Sequence, residues 1–346
     1  MCNIAAYVGS RPAAPILIDM LSRIEGMNAG FFTGIATIHE GRLHYRKLEG
    51  DLSHLLACTD AASLPGNIGI IHGRTPGMGG DPWAHPFIGI RNGTPVTALI
   101  ANGALGVFQK NIDRYCALAQ ELYDEGYTLS SKTDLPVPSG RTLSTGERVH
   151  TTDAFCQLVL RNMDRGACEE QALEAAFSEM PIEMVTLMLS VEHPNRIFWS
   201  MLNKPCTRAV APHGTYLASC AIAFPKDAGT PTALPHCCVG FVDTKGFFAK
   251  SFDTPPAQVS PIDADVTARA FALCCDMLSR KDCTLPELVK ASRGCFSGGE
   301  CDLAAPLVYE ILYALHKQGR LHMETRRITH EQNRMDAPCF YMRLKN

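Results

Sequence analysis

The chain opens Met1-Cys2-Asn3-Ile4-Ala5-Ala6-Tyr7-Val8-Gly9, and this stretch decides how the rest is read. Residues 4–8 form a short apolar run that reads as a buried strand. Ahead of it stands a cysteine directly after the initiator methionine. Methionine aminopeptidases remove Met when the next residue is small, and cysteine qualifies. Removal leaves Cys2 with a free α-amine of pKa about 7.7–8.0 on the same residue as its thiol. That amine can take the thiol proton, directly or through a water, and return it to a leaving group. One residue then supplies both nucleophile and base. Taken alone, a cysteine at position 2 is more often an accident of sequence, so the case has to come from elsewhere in the chain.

Working outward, residues 14–24 carry helical spacing through Ile16, Leu17, Met20, Leu21 and Ile24. Strand-like runs follow at 31–39, 42–48, 67–72 and 96–101, punctuated by Gly and Pro. An apolar stripe over 109–125 predicts a helix, with Gly126 as its C-cap. Residues 135–148 are rich in Pro, Gly and Ser and read as a loop. Helical segments at 153–163 and 169–180 precede a second series of strands at 184–190, 196–201, 208–211 and 216–218. This alternation predicts an α+β arrangement, two antiparallel sheets sandwiched between helical layers.

Around 224–234 the composition shifts to Pro, Gly, Thr and Asp, which predicts a boundary between a unit at 1–225 and a smaller one at 236–346. The second unit reads as a strand (238–243), helices (263–278, 285–291, 303–318) and two strands (321–328, 339–344). Three helices followed by a β-ribbon is a winged-helix-like order, a common pattern whose role the sequence leaves open.

The bulk composition narrows the class. With 346 residues, 46% hydrophobic and 19% charged, and a net charge of −3, the chain has room for two cores and no excess of basic charge. No apolar stretch approaches the ~18 residues of a membrane span, and the opening lacks a basic segment before an apolar one. A cytoplasmic protein without membrane association is expected. The fifteen cysteines are odd in number and lack zinc spacing, because Cys237-Cys238 and Cys274-Cys275 are adjacent pairs. No metal and no cofactor is assigned.

Four blocks then carry a resemblance. The opening M-C-N-I-A-A-Y-V-G is similar to M-C-G-I-x-G-Y-x-G. The run Ile70-Ile71-His72-Gly73-Arg74-Thr75, followed by Ala84-His85-Pro86-Phe87, resembles an H-T-R-W-A-T block with its A-H-P. Ala98-Leu99-Ile100-Ala101-Asn102-Gly103 looks like a hydrophobic strand ending in H-N-G. Residues 125–134, E-G-Y-T-L-S-S-K-T-D, resemble G-Y-x-F-x-S-x-T-D-T-E. All four belong to the class II, N-terminal-nucleophile glutamine amidotransferases, and here they occur in the family order over 1–134. Weaker likeness continues to about residue 225. The resemblance is to the glutaminase domain of glucosamine-6-phosphate synthase, and no sugar-phosphate isomerase or phosphoribosyltransferase segment follows it.

The resemblance implies a four-layer αββα sandwich and a set of roles. Cys2 is the nucleophile. Asn102 and Gly103 supply a side-chain and a backbone N–H to the oxyanion; read alone, Asn-Gly is a tight turn. Arg74 grips the substrate α-carboxylate through its forked guanidinium, with Thr75 beside it; the plain alternative is a surface arginine. Asp134 faces the α-ammonium, with N-capping or turn formation as the alternative. His85 orders its loop rather than acting as a base.

Departures from the family pattern are also present. Asn28-Ala29-Gly30-Phe31-Phe32-Thr33-Gly34 lacks the Arg and Asp of R-G-x-D-S-A-G, Asn3 replaces a glycine, Cys220 replaces an aspartate, and Thr75-Pro76-Gly77 departs from the family's glutamine loop.

Three functions are expected, in this order. The first is hydrolysis of the glutamine side-chain amide, releasing ammonia alone or for a separate acceptor synthase. The second is an amidase of the same fold acting on another amide or a γ-glutamyl compound. The third is a degenerate ligand-binding protein acting through its C-terminal unit. Lys317, Arg320, Arg326, Arg327, Arg334 and Arg343 raise nucleic acid as a partner, but Glu324, Glu331 and Asp336 interrupt them and make a solvated face the better reading. A homo-oligomer is compatible with the sequence.

Overall fold

In the computed structural model, residues 2–137, 140–299, 301–329 and 336–345 are described. The first half contains β1 (Asn3–Gly9), α1 (Ala13–Ser22), β2 (Phe32–His39), β3 (Arg42–Glu49), α2 (Leu52–Cys58), β4 (Ile68–Arg74), β5 (Phe87–Arg91), β6 (Thr94–Ala104) and α3 (Ile112–Asp124). A two-residue ribbon, β7 (Arg141–Thr142) and β8 (Arg148–Val149), leads to α4 (Thr151–Asp164) and α5 (Glu169–Glu179). Then come β9 (Glu183–Ser190), β10 (Ile197–Met201), β11 (Thr207–Ala211), β12 (Gly214–Ala218), β13 (Thr232–Ala233), β14 (Cys238–Val242) and β15 (Phe247–Ser251). The chain closes with α6 (Ala264–Arg280), α7 (Leu285–Ser292), α8 (Ala304–Lys317), β16 (Leu321–Thr329) and β17 (Asp336–Leu344).

Two antiparallel sheets form the centre. One has the order β13-β11-β12-β1-β4-β2-β3 and the other β15-β14-β10-β9-β6-β5. Alternation along each strand sends every second side chain into the space between them. Ile4, Ala6 and Val8 of β1, Ile68 and Ile70 of β4, Ala98 and Ile100 of β6, and Leu187 and Leu189 of β9 meet there in one buried cluster. Burying each of the larger side chains contributes about 1.5–3 kcal/mol over leaving it exposed. The intervening residues face outward. Ala5, Tyr7 and Ile71 pack with α1 and with α6, α7 and α8, while Leu99, Met188 and Phe198 pack with α3, α4 and α5. Helix, sheet, sheet, helix is the expected layering.

The boundary expected between 225 and 236 falls inside this sandwich. β14 pairs with β10 and β15 pairs with β14, so the residues following the Pro-Gly stretch complete the second sheet. Composition marks a loop there, and hydrogen bonding across the loop was not visible in it. α6, α7, α8 and the β16–β17 ribbon do follow in the expected order. They share their core with α1 and the first sheet.

In α8, Leu307, Val308, Tyr309, Ile311, Leu312 and Leu315 are buried, which turns much of that helix toward the sandwich. Two of the basic residues nearby are paired with carboxylates. Arg326 lies 2.6 Å from Asp282 and 2.7 Å from Glu324, and Arg327 lies 2.9 Å from Asp51; Arg334 lies outside the described residues.

Six elements escaped the sequence reading: α2, β5, β15 and the two-residue strands β7, β8 and β13. α2 is started by Asp51, whose carboxylate accepts the His54 N–H at 2.9 Å. β5 and β15 lie at the outer edges of the second sheet, where half-exposed strands carry a weak apolar pattern. Among the described residues, no helix is long and apolar enough to cross a membrane.

Candidate active site

The site lies where the apolar inward rows of three strands end in polar residues. On β1 the row Val8, Ala6, Ile4 leads to Cys2. On β4 the row Ile68, Ile70 leads to His72 and Arg74. On β6 the row Ala98, Ile100 leads to Asn102. The register sets Ile4 opposite His72 and Asn3 opposite Gly73, which brings Cys2 to the end of β4 beside Arg74.

Asn102 and Cys2 meet across the two sheets. The Cys2 backbone nitrogen donates to Asn102 Oδ1 at 3.0 Å. The other end of that amide, Nδ2, is buried with no hydrogen-bond partner among the described residues. A buried donor left unpaired costs about 1–3 kcal/mol, so it is a donor held ready for an acceptor that enters the site. Asn102-Gly103 is not a turn, since both residues lie in β6 opposite Val185 and Met184 of β9. Gly103 is required by crowding, because a Cβ there would stand 2.2 Å from the Cβ of Met184 and 2.6 Å from the Glu183 carbonyl oxygen.

Two stacked imidazoles support this strand end. β5 stops at Phe87, opposite Leu99, so Ala101 has no strand neighbour on that side. His85 Nδ1 accepts the Ala101 N–H at 3.2 Å and His72 Nε2 bonds the Ala101 carbonyl at 3.1 Å. The rings lie 3.9 Å apart and nearly parallel, at 11°. Burial, reinforced by the charges of His72 and His150, drives the His85 pKa well below the usual imidazole range, so His85 is neutral. This agrees with an ordering role.

The Cys2 thiol is buried, which alone would raise its pKa, but the charge and hydrogen bond of His72, the charge of the chain's N-terminus and the Thr75 backbone N–H reverse the shift and bring it down to about 6. Thr75 Oγ1 lies 3.8 Å from Cys2 Sγ. A thiol in this state is largely thiolate at neutral pH, the nucleophilic form. Arg74 is buried, with its Cζ 4.5 Å from the Phe32 ring centroid and 5.7 Å from that of Trp83. Its Nη1 has no hydrogen-bond partner among the described residues.

A cavity of about 470 Å³ opens over these groups. Cys2, Arg74, Thr75, His85 and Gly103 line it, together with Arg141 and His150. Asn102 lies directly behind, bonded to Cys2. Asp134 is exposed and does not line the cavity, so the carboxylate expected at the substrate α-ammonium is outside this arrangement. Among the described residues lining the cavity there is no Asp or Glu.

Three lining or supporting residues were missed in the sequence. His72 was visible as the last inward position of β4 before Arg74, a period-2 signal. Arg141 sits on β7, inside the stretch 135–148 read as a loop, and His150 just beyond that stretch after β8; no local pattern announces them. Among the described residues, no group of three or more His, Cys, Asp or Glu could hold a metal ion.

No protein-family model matches the chain. The glutamine–fructose-6-phosphate aminotransferase (isomerizing) of Bartonella henselae is 29% identical over 184 residues, covering 52% of this chain and 25% of that protein. Its namesake in Pyrococcus horikoshii is 26% identical over 228 residues, covering 65% and 33%, and that of Mesorhizobium japonicum is 35% identical over 141 residues, covering 40% and 21%. The chain therefore spans a third or less of the length of these relatives.

Among solved structures, the glutamine phosphoribosylpyrophosphate amidotransferase of B. subtilis, complexed with ADP and GMP, superposes with a TM-score of 0.60 at 15% identity, over 80% of this chain and 58% of that one. This likeness establishes the fold. By sequence and by fold, the chain is a relative of the class II, N-terminal-nucleophile glutamine amidotransferases through their glutaminase-like domain.

Proposed function

We propose that the protein hydrolyses the side-chain amide of glutamine, with Cys2 as nucleophile, and releases ammonia to water or to a separate acceptor enzyme. The observation that carries the reading is the pairing of a low-pKa thiol with an unpartnered, buried amide N–H on Asn102, at one end of a cavity that also holds Arg74.

In this reading Met1 is removed and Cys2 leads the chain. Arg74 binds the α-carboxylate of glutamine through its fork, with Thr75 beside the sulfur. The thiolate attacks the amide carbon, and the negative oxygen that forms accepts from Asn102 Nδ2 and the Gly103 backbone N–H. The Cys2 α-amine holds the proton taken from the thiol, and the C–N bond breaks as that proton passes to the leaving nitrogen, giving ammonia and a thioester on Cys2. Water then attacks the thioester, its proton passes to the same amine and from there to the departing sulfur, and glutamate leaves with the thiol restored.

The test is formation of glutamate and ammonia by purified, Met-processed protein, with Cys2→Ala as control. Equimolar products from the wild type and none from C2A support the reading. Turnover that survives C2A rejects it.

The exposed position of Asp134 and the lack of a carboxylate among the described lining residues favour a second reading. In it the fold and nucleophile are the same but the substrate is another amide or a γ-glutamyl compound. A panel of such amides ranked by kcat/KM decides between the two, and a clear preference for free glutamine removes the second.

A further inference from the structure

Two guanidinium groups line the cavity, and they come from different layers of the fold. Arg74 ends β4 of the first sheet. Arg141 stands on β7, where it pairs with Val149 of β8. That ribbon lies against α3, with the Thr142 N–H donating to Cys116 Sγ at 3.4 Å, and α3 belongs to the helical layer over the second sheet. Both arginines are buried, at 7% and 1% exposed, yet both line the same space of about 470 Å³. A guanidinium in a protein is not deprotonated. The wall therefore holds two fixed positive charges, and the roles above use only one of them.

No acidic side chain answers them within the cavity. Among the described residues that line it there is no Asp or Glu, and Asp134 is exposed outside it. The polar neighbours of the arginines add donors instead. His150 follows Val149, the partner of Arg141, and its Nδ1 accepts the Thr152 N–H at 3.0 Å. Burial first, then the charges of Arg74, His72, Lys47 and Arg141, hold its pKa well below the usual imidazole range. The ring is neutral and carries its proton on Nε2. Thr151 and Thr152, in the first turn of α4, also line the cavity. A cationic group entering such a site gives up its water without gaining a carboxylate. An anionic group gains charge-assisted hydrogen bonds.

We propose that the preferred substrate is an amide with two anionic groups and no cationic one: an N-acylated glutamine whose acyl group ends in a carboxylate. Arg74 holds the α-carboxylate and Arg141 holds the acyl carboxylate. The proposal rests on the Cys2 chemistry above and gives the second reading its substrate class. Acylation removes the positive charge from the α-nitrogen, for which the lining offers no partner, and supplies the second negative charge. The cavity volume falls in the ~300–1,000 Å³ range of pockets that enclose drug-sized ligands, which leaves room for the longer molecule. The bond broken is still the C–N bond of the carboxamide. Water adds across it, ammonia leaves, and the acyl group stays on the glutamate product. Arg141 touches the substrate away from the reacting atoms and sets which amide is chosen.

The experiment measures ammonia release from L-glutamine, N-acetyl-L-glutamine and N-succinyl-L-glutamine by the full, Met-processed chain, with Cys2→Ala as the blank. The three share the carboxamide and the α-carboxylate. The first keeps the ammonium, the second replaces it with a neutral amide, and the third adds the second carboxylate. Arg141→Met and Arg141→Lys are measured alongside, each checked for wild-type circular dichroism. The readout is the ratio of kcat/KM for N-succinylglutamine to that for N-acetylglutamine within one protein, so a general loss of activity in a variant cancels. Calorimetric binding of the three amides to the Cys2→Ala protein reads the same preference without turnover, and without an Arg141 variant that has to fold.

The expected result is a wild-type ratio of roughly 10–100, the worth of a charge-assisted hydrogen bond, with the lowest kcat/KM for glutamine. In Arg141→Met the ratio falls toward one, and Arg141→Lys, which keeps the charge without the fork, lies between. A wild-type ratio near one, a clear preference for glutamine, or a ratio that Arg141→Met leaves intact overturns the proposal. Ammonia from none of the three amides counts against the Cys2 reading instead. The binding order on Cys2→Ala then decides the substrate class: N-succinylglutamine binds roughly tenfold or more tightly than the other two if the proposal holds, and no more tightly if it fails.

Discussion

The backbone nitrogen of Cys2 and the side-chain carbonyl of Asn102 are joined by a 3.0 Å hydrogen bond that links the residue heading β1 in one sheet to β6 in the other. It fixes the amide so that Oδ1 is occupied and Nδ2 is left buried without a hydrogen-bond partner among the described residues. Asn102→Asp keeps an oxygen for the Cys2 nitrogen and deletes the donor. The expected outcome is a fall in kcat of roughly 10²–10³-fold with little change in KM, the signature of a lost oxyanion donor. Steady-state kinetics on glutamine read it directly. An equal rise in KM with kcat intact would assign Asn102 to ground-state binding.

Arg74 lies against the rings of Phe32 and Trp83 and offers a fork that Lys cannot imitate. Arg74→Lys keeps the charge and loses the paired geometry. KM for glutamine is expected to rise roughly 10–100-fold, the worth of a charge-assisted hydrogen bond, with a smaller change in kcat. Isothermal titration of the C2A protein with glutamine measures the same loss without turnover.

Glu25 couples the protein to pH away from the reaction. Burial lifts its pKa from 4.5 to about 7, against the opposing Leu52 N–H, with Asp51 adding to the rise and Arg327 countering it. The carboxylate Oε1 accepts that N–H at 2.7 Å. Because the folded pKa lies above the unfolded one, the folded state binds more protons between the two values, and stability falls as pH rises from about 4.5 to about 7. Glu25→Gln keeps the acceptor and removes the titration. Thermal melts should show the variant gaining on the wild type across that window, by about 3 kcal/mol in the limit. Parallel melting curves at pH 5 and pH 8 would contradict this.

The sandwich was legible in the alternation of strand-like and helical runs and in the resemblance, and Cys2 in its place after Met1 and in the four blocks. The period-2 rows show why these residues share one face. Ile4, Ile70 and Ile100 mark inward rows, and the residues two further along, Cys2, His72 and Asn102, inherit the same face. Pairing between distant segments leaves no such local trace. β14 and β15 completing the second sheet, Asp134 lying outside the cavity lining and Arg141 lining it from a two-residue ribbon are facts of tertiary pairing.

The stretch Asn28–Gly34, where the family's charged residues are missing, has a physical counterpart in the fold. A Cβ on Gly30 would meet Pro338 at 2.7 Å, and one on the nearby Gly26 would meet the Phe340 ring at 2.3 Å, both residues of β17. Tyr309 of α8 donates to Asn3 Oδ1 at 3.3 Å, next to Cys2. The last third of the chain thus packs against the segment that backs Cys2.

The central claim is a covalent one, and its most direct test is to find the bond. The protein is mixed with glutamine, quenched in acid within the first turnovers, digested and read by mass spectrometry. The account predicts a γ-glutamyl thioester on the peptide that carries Cys2, absent from C2A and accumulating when the hydrolytic half is slowed. A γ-glutamyl adduct on any other cysteine, or glutamate released with Cys2 unmodified throughout, would contradict it.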